Sequence, residues 1–287
     1  MRTESNQRFV LAFTPSGSAF IGDERQLKEQ FLLGQLPTRL SCQVSLDPLA
    51  DDTVWQVTAR GVVKCTRARE FKSANRKTGI RGIDIDEDDR LVAVFCIPEK
   101  TRDTNIVIAT VRGVAIRFSA DDLCPMIRTA RGVCGIKLSN DDENEKCDEV
   151  ATAFPVDAGH ADGLIGLLSG RGYAIRFPVS DMLLRGRCRK GVIVGRTNDE
   201  TGLISLAAGM LPDGRLMYSS RSLDAADVPW SSVAIRSRKA AKWERRSGLE
   251  ISDGKPRIFD SSPCHRTNRN ATAGARAATS HPFSLPP

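Results

Sequence analysis

The sequence predicts an all-β, propeller-like array of repeated four-stranded blades followed by a disordered tail. Three observations carry this reading. A block returns three times: TARGVVK with EF and TGIRGI, TVRGVAIRF with DDL and ARGVCGI, and SGRGYAIRF with SDM and RKGVIVG. Short apolar, β-branched runs recur throughout the body, and no stretch sustains a 3.6-residue period. From about Lys242 the large aliphatics give way to Arg, Ser, Thr, Ala and Pro, which cannot bury enough surface to offset ordering entropy. A self-similar unit of this size, built from short strands, marks a propeller or a related array.

Each unit reads as strand, tight turn, strand, acidic corner, basic glycine-rich connector, strand, acidic loop, strand. The turns fall at Gly61, Gly113 and Gly172, where glycine tolerates positive φ. A weaker copy, FVLAFTPSGSAFI, precedes them with its turn at Gly17, so successive turns lie 44, 52 and 59 residues apart. Nine residues after each strong turn stands an acid (Glu70, Asp122, Asp181), followed by an apolar residue (Phe71, Leu123, Met182); Gln26-Leu27 occupy these places in the weak copy. In the third unit Asn105–Thr110 is the outgoing strand and Val114–Phe118 the return. Leu91–Ile97 and Glu149–Val156 are later strands. A fifth unit, from Leu203 to about Ala225, keeps LISLAAGM and an Asp213-Gly214 turn, then fades. The expectation is four clear blades and a remnant within residues 1–240, a ring that need not close, and a disordered basic tail over 241–287 that the fold can lose.

Composition excludes several classes. No apolar run approaches the roughly 18 residues of a membrane helix, and MRTESNQRF is not a secretory leader, so a cytoplasmic, nucleoid-associated protein without a membrane partner is expected. The eight cysteines are scattered with no CxxC, which predicts reduced thiols, with Cys65 and Cys96 as buried apolar residues. Asp84–Asp89 lacks the central glycine and twelfth-position glutamate of a calcium loop and reads as an acidic turn. His160, His265 and His281 form no ligand spacing, and no GxxxxGK[ST] occurs. No nucleophile with a base is visible. No cofactor, no metal and no catalysis by this chain alone are therefore expected.

The formal net charge is +7, and its distribution is more informative than its size. Three connectors carry Lys72, Arg76, Lys77 and Arg81; Arg128, Arg131 and Lys137; and Arg185, Arg187, Arg189, Lys190 and Arg196, with no acid in 36 residues. Solvated loops of no function would mix signs. Segregation at one phase of a structural repeat puts the positive charge on one side of the array and predicts a polyanion partner.

These blocks resemble the C-terminal domain of the type IIA topoisomerase A subunit, found in DNA gyrase and topoisomerase IV. The resemblance is carried by GVAIRFSADDLCPMIRTARGVCGIKL (Gly113–Leu138), by GYAIRFPVSDM and by KTGIRGIDIDEDDRLVAV, recurring in register. It implies a β-pinwheel, a ring of four-stranded blades in which neighbours exchange strands, with a basic rim that binds duplex DNA and bends it. It implies DNA contacts from the twelve connector cations named above. It also implies partners that hold the cleavage core and the ATPase. The family's cleavage tyrosine belongs to a separate N-terminal region; the tyrosines here are Tyr173 and Tyr218, and Tyr173 reads as a strand residue. The Gln-Arg-Arg-Gly-Gly-Lys-Gly type wrapping box is missing, and the first copy corresponds to a second blade. A degenerate propeller that binds a protein partner, or a non-functional fragment, are the rival readings.

Overall fold

A computed structural model describes residues 9–32, 40–46, 51–76, 78–99, 103–139, 148–157, 163–210, 216–219, 233–235, 237 and 243–245. Alternating apolar runs become strands wherever two faces must be buried. The first blade contains β1 (Phe9–Phe13), β2 (Ser18–Asp23) and β3 (Cys42–Leu46). The second contains β4 (Thr53–Thr58), β5 (Val62–Arg67) and β7 (Leu91–Ile97). The third contains β8 (Thr104–Thr110), β9 (Val114–Ser119) and β11 (Val150–Asp157). The fourth contains β12 (Leu164–Ser169), β13 (Tyr173–Pro178), β15 (Ile204–Met210) and β16 (Leu216–Ser219).

Each blade is completed by a two-residue strand contributed from the following unit. These are β6 (Ile80–Arg81), β10 (Val133–Cys134), β14 (Val192–Ile193) and β17 (Glu244–Arg245). The sheet orders are β3-β1-β2-β6, β10-β5-β4-β7, β11-β8-β9-β14 and β16-β15-β12-β13-β17, all antiparallel. The glycine-rich ends of the connectors are therefore strands handed back to the preceding blade.

Side chains alternate across each strand, so the sheets of blades 1, 2 and 3 each serve two cores. Leu11, Phe13, Val54 and Phe71 fill the junction of blades 1 and 2. Val63, Cys65, Ile116 and Phe118 fill that of blades 2 and 3. Val107, Phe154, Ile175 and Phe177 fill that of blades 3 and 4. The apolar residue after each acidic corner, Phe71, Leu123 or Met182, is buried in one of these junctions.

Four expectations are corrected. The weak first unit contains a helix, α1 (Glu24–Leu32), whose start is capped by Asp23 Oδ1 accepting from Gln26 N at 2.8 Å. Its Leu27, with Leu40, packs on Val10, Ala12 and Phe20, a cluster distinct from the three junctions. The segment read as a fifth unit instead supplies β15 and β16, the outer strands of blade 4. The boundary expected at residue 240 falls short, because Glu244–Arg245 pair with β13 and Trp243 packs against the last core; the rest of that tail lies outside the described residues. Finally, Cys134 and Cys188 form a disulfide where reduced thiols were expected. The reason is the strand exchange: it places the ends of two connectors side by side, a proximity that linear spacing does not reveal. Cys65 and Cys96 are buried as expected, and burial pushes both thiols up to about 12.

Candidate nucleic-acid interface

The turn glycines explain how the connectors are held. Gly61 and Gly113 sit at φ of +82° and +85°. Their carbonyls face the incoming exchanged strand: Gly61 O accepts from Gly135 N at 2.8 Å and Gly113 O from Val194 N at 2.9 Å. In blade 1, Gly17 O accepts from Gly82 N at 2.8 Å in the same way. Gly82 and Gly135 of the connectors thus donate to the turns, and a Cβ at either would crowd the accepting carbonyl and neighbouring side chains.

Adjacent connectors are also bonded to each other. Asp84 N of the first donates to Ala130 O of the second at 3.2 Å. Lys137 N of the second donates to Arg189 O of the third at 3.1 Å, and Cys188 N donates to Gly135 O at 2.7 Å. The three charged segments therefore form one edge-to-edge belt along the outer strands of successive blades.

The belt sorts the predicted cations into two kinds. Lys72, Arg76, Lys137, Arg185, Arg189, Lys190 and Arg196 are exposed, and among the described residues no ion pair engages them. The others have partners. Arg128 Nη1 donates to Arg81 O at 2.6 Å, and Arg187 Nη1 donates to Cys134 O at 3.2 Å. Arg81 and Cys134 are the last residues of two exchanged strands, so these two arginines perform the same structural task one blade apart. Arg187 Nε also donates to Asp122 O at 3.4 Å. Arg187 is consequently half-buried, and its removal is expected to lower stability. Arg131 pairs with Asp86 at 2.6 Å and Arg81 with Asp84 at 3.1 Å, both exposed. The acidic turn Asp84–Asp89 thus neutralises part of the belt, which the acid-free connector sequences did not suggest. Lys77 lies outside the described residues. Exposed apolar side chains, Ile127, Leu183 and Leu184, share the same connectors.

Two strand cations were missed, Lys64 buried and Arg117 half-buried. Lys64, in the apolar run of β5, is fully buried; its Nζ donates to Gly82 O at 2.7 Å and to the carbonyl of Arg128. It ties blade 2 to the first and second connectors. Arg117 Nη1 donates to Val179 O and Met182 O at 3.0 and 3.1 Å, tying blade 3 to the corner of blade 4. The available signal was the IRF repeated in two units, where a cation interrupts an apolar strand.

Burial, with Arg128 nearby, lowers the Lys64 ammonium to about 7. An unfolded chain keeps that lysine protonated up to about 10.4, so above pH 7 the unfolded state binds more protons and stability rises with pH. Between pH 7 and 8.5 the gain is expected to reach ~2 kcal/mol. Above about pH 9 the raised Cys65 and Cys96 thiols act in the opposite sense, since the unfolded thiols ionise first. Melting curves from pH 6.5 to 8.5 should show the rise in the native chain and a flatter profile in Lys64→Met. Parallel profiles would refute the assignment.

The arrangement defines a class: a strand-exchanged β-pinwheel with a cationic perimeter. Residues 57–98, 104–157 and 167–207 match the family described as "DNA gyrase C-terminal domain, beta-propeller". It is 32% identical over 227 residues to the DNA gyrase A subunit of Haloquadratum walsbyi, covering 77% of this chain and 25% of that protein. It is 34% identical over 149 residues to the DNA gyrase A subunit of Aminobacterium colombiense, covering 52% and 16%. Among solved structures, the DNA gyrase A C-terminal domain aligns with a TM-score of 0.61 at 17% identity, covering 73% of this chain and 68% of that one. The C-terminal domain of DNA topoisomerase IV aligns with a TM-score of 0.60 at 19% identity, covering 72% and 65%. The likeness is confined to the β-pinwheel domain, about a quarter of the Haloquadratum protein, and that portion lacks the catalytic region. Among the described residues no helix is long and apolar enough to cross a membrane.

Proposed function

We propose that this domain binds duplex DNA along the connector belt without sequence preference, bends it, and serves a type IIA topoisomerase complex. On this reading the protein works in the cytoplasm, at the nucleoid. The single observation that carries the reading is the belt itself. Seven exposed cations, free of ion pairs among the described residues, sit on connectors hydrogen-bonded edge to edge across successive blades.

DNA carries one negative charge per roughly 1.7 Å of axis, so cations on a curved perimeter can follow a bent duplex. Smooth bending of a 20–30 base-pair site costs on the order of 1–6 kcal/mol, which phosphate contacts from two or three blades must offset. Such contacts position the duplex without reading bases. Fluorescence anisotropy with several unrelated duplexes across a salt series is the direct assay. Near-equal affinities and a steep, common slope of log K against log salt are expected; a flat slope would overturn the proposal. A protein-binding role is the second reading, favoured by the exposed Ile127, Leu183 and Leu184, and it predicts that flat slope.

A further inference from the structure

The disulfide links the second and third connectors of the belt. Cys134 ends the exchanged strand β10 within the second connector, and Cys188 lies in the third, between Arg187 and Arg189. Their Cα atoms are 5.1 Å apart although 54 residues separate them in sequence. Backbone bonds already align the two segments: Cys188 N donates to Gly135 O at 2.7 Å and Lys137 N to Arg189 O at 3.1 Å. At the neighbouring junction the equivalent places, two residues after Gly79 and three before Gly132, hold Arg81 and Thr129, so the covalent link belongs to one junction alone.

The other thiols differ in kind. Cys65 and Cys96 are buried, Cys42 is half-buried and Cys124 is exposed, and none of them is linked, whereas the exposed Cys188 and the half-buried Cys134 are joined. Arg131, Arg187, Arg189 and Lys190 lie within three residues of the pair in sequence. Cys188 also adopts a positive φ of 58°, a conformation uncommon for a residue with a side chain. An exposed disulfide in a cationic setting is readily reduced and re-formed.

We propose that Cys134 and Cys188 are a redox modification site, closed by peroxide and opened by a dithiol, that sets how firmly the second and third connectors are held for DNA. The functional consequence rests on the DNA reading above; the redox chemistry does not. In closure, the Cys188 thiolate attacks a peroxide oxygen, the O–O bond breaks, and a hydroxide leaves, forming a sulfenic acid. The Cys134 thiolate then attacks that sulfur, the S–O bond breaks, and a second hydroxide leaves. With the two thiol protons the balance is one disulfide and two waters. In opening, one thiolate of the dithiol attacks the exposed Cys188 sulfur and expels the Cys134 thiolate. The second thiol of the dithiol then displaces Cys188 and leaves as its own cyclic disulfide.

A held belt is pre-organised for the duplex, so the oxidised form binds more tightly. The test uses the full chain treated with hydrogen peroxide or with dithiothreitol, a fluorescent duplex of ~40 base pairs, and peptide mapping. Expected are a peroxide-dependent Cys134–Cys188 peptide, a fall in Tm of roughly 5 °C or more on reduction, and roughly three- to tenfold weaker DNA binding. All three responses should vanish in Cys134→Ser/Cys188→Ser. Equal Tm and Kd in both states of the native chain, or a response that persists in the double variant, would overturn the proposal. If neither state binds duplex but the Tm response tracks the linked peptide, the site stands and the DNA reading falls.

Discussion

Gly113→Ala is expected to destabilise the array by about 4 kcal/mol, enough to unfold or nearly unfold a domain of ordinary stability. Two effects add. The residue sits at φ +85°, where a Cβ is strained. That Cβ would also lie 1.7 Å from Gly195 O, a backbone atom of the segment that carries β14 back to blade 3. Relief requires moving the exchanged strand, which loosens the Val194–Gly113 hydrogen bond and the core beneath it. Gly186→Ala is the matched control, because a Cβ there meets nothing within 4 Å. Calorimetry on the two variants should separate them by more than ~10 °C. Equal melting would mean that the turns do not receive the exchanged strands as described.

The second large effect concerns binding. Replacing Arg185, Arg189 and Lys190 together by Ala should weaken duplex affinity roughly tenfold or more at low salt and lower the salt slope by up to ~0.9 per lost contact. Stability should change little, since all three are exposed and carry no ion pair among the described residues. Arg187→Ala should behave differently, lowering Tm as well as affinity, because its guanidinium supports Cys134 O and Asp122 O. A triple variant that binds every duplex as the native chain does would place the ligand elsewhere. Unequal losses among sequences would point to base readout.

The blades were legible in the sequence because each is a local hairpin with a glycine turn at a fixed phase, and alternation within β4–β5, β8–β9 and β12–β13 needs no partner to be read. The basic connectors were legible for the same reason. What linear order could not supply was the exchange: β6, β10, β14 and β17 are two residues long and carry no periodicity of their own. The division of the cations into bonded and exposed follows from that exchange. Arg128 and Arg187 reach carbonyls 47 and 53 residues away. The disulfide and the Arg131–Asp86 pair were hidden by the same step. Helix α1 was hidden because only nine residues of it exist, too few for a period to stand out. Lys64 and Arg117 were passed over as strand residues, since such a cation is recognised by the carbonyls it meets.

Bending is the central claim, and energy transfer between dyes at the two ends of a ~40 base-pair duplex measures it most directly. Saturating protein at low salt should shorten the end-to-end distance, the shortening should be the same for unrelated sequences, and added salt should reverse it in step with release of the protein. A duplex that binds at the same affinity yet keeps the end-to-end distance of free DNA would contradict it.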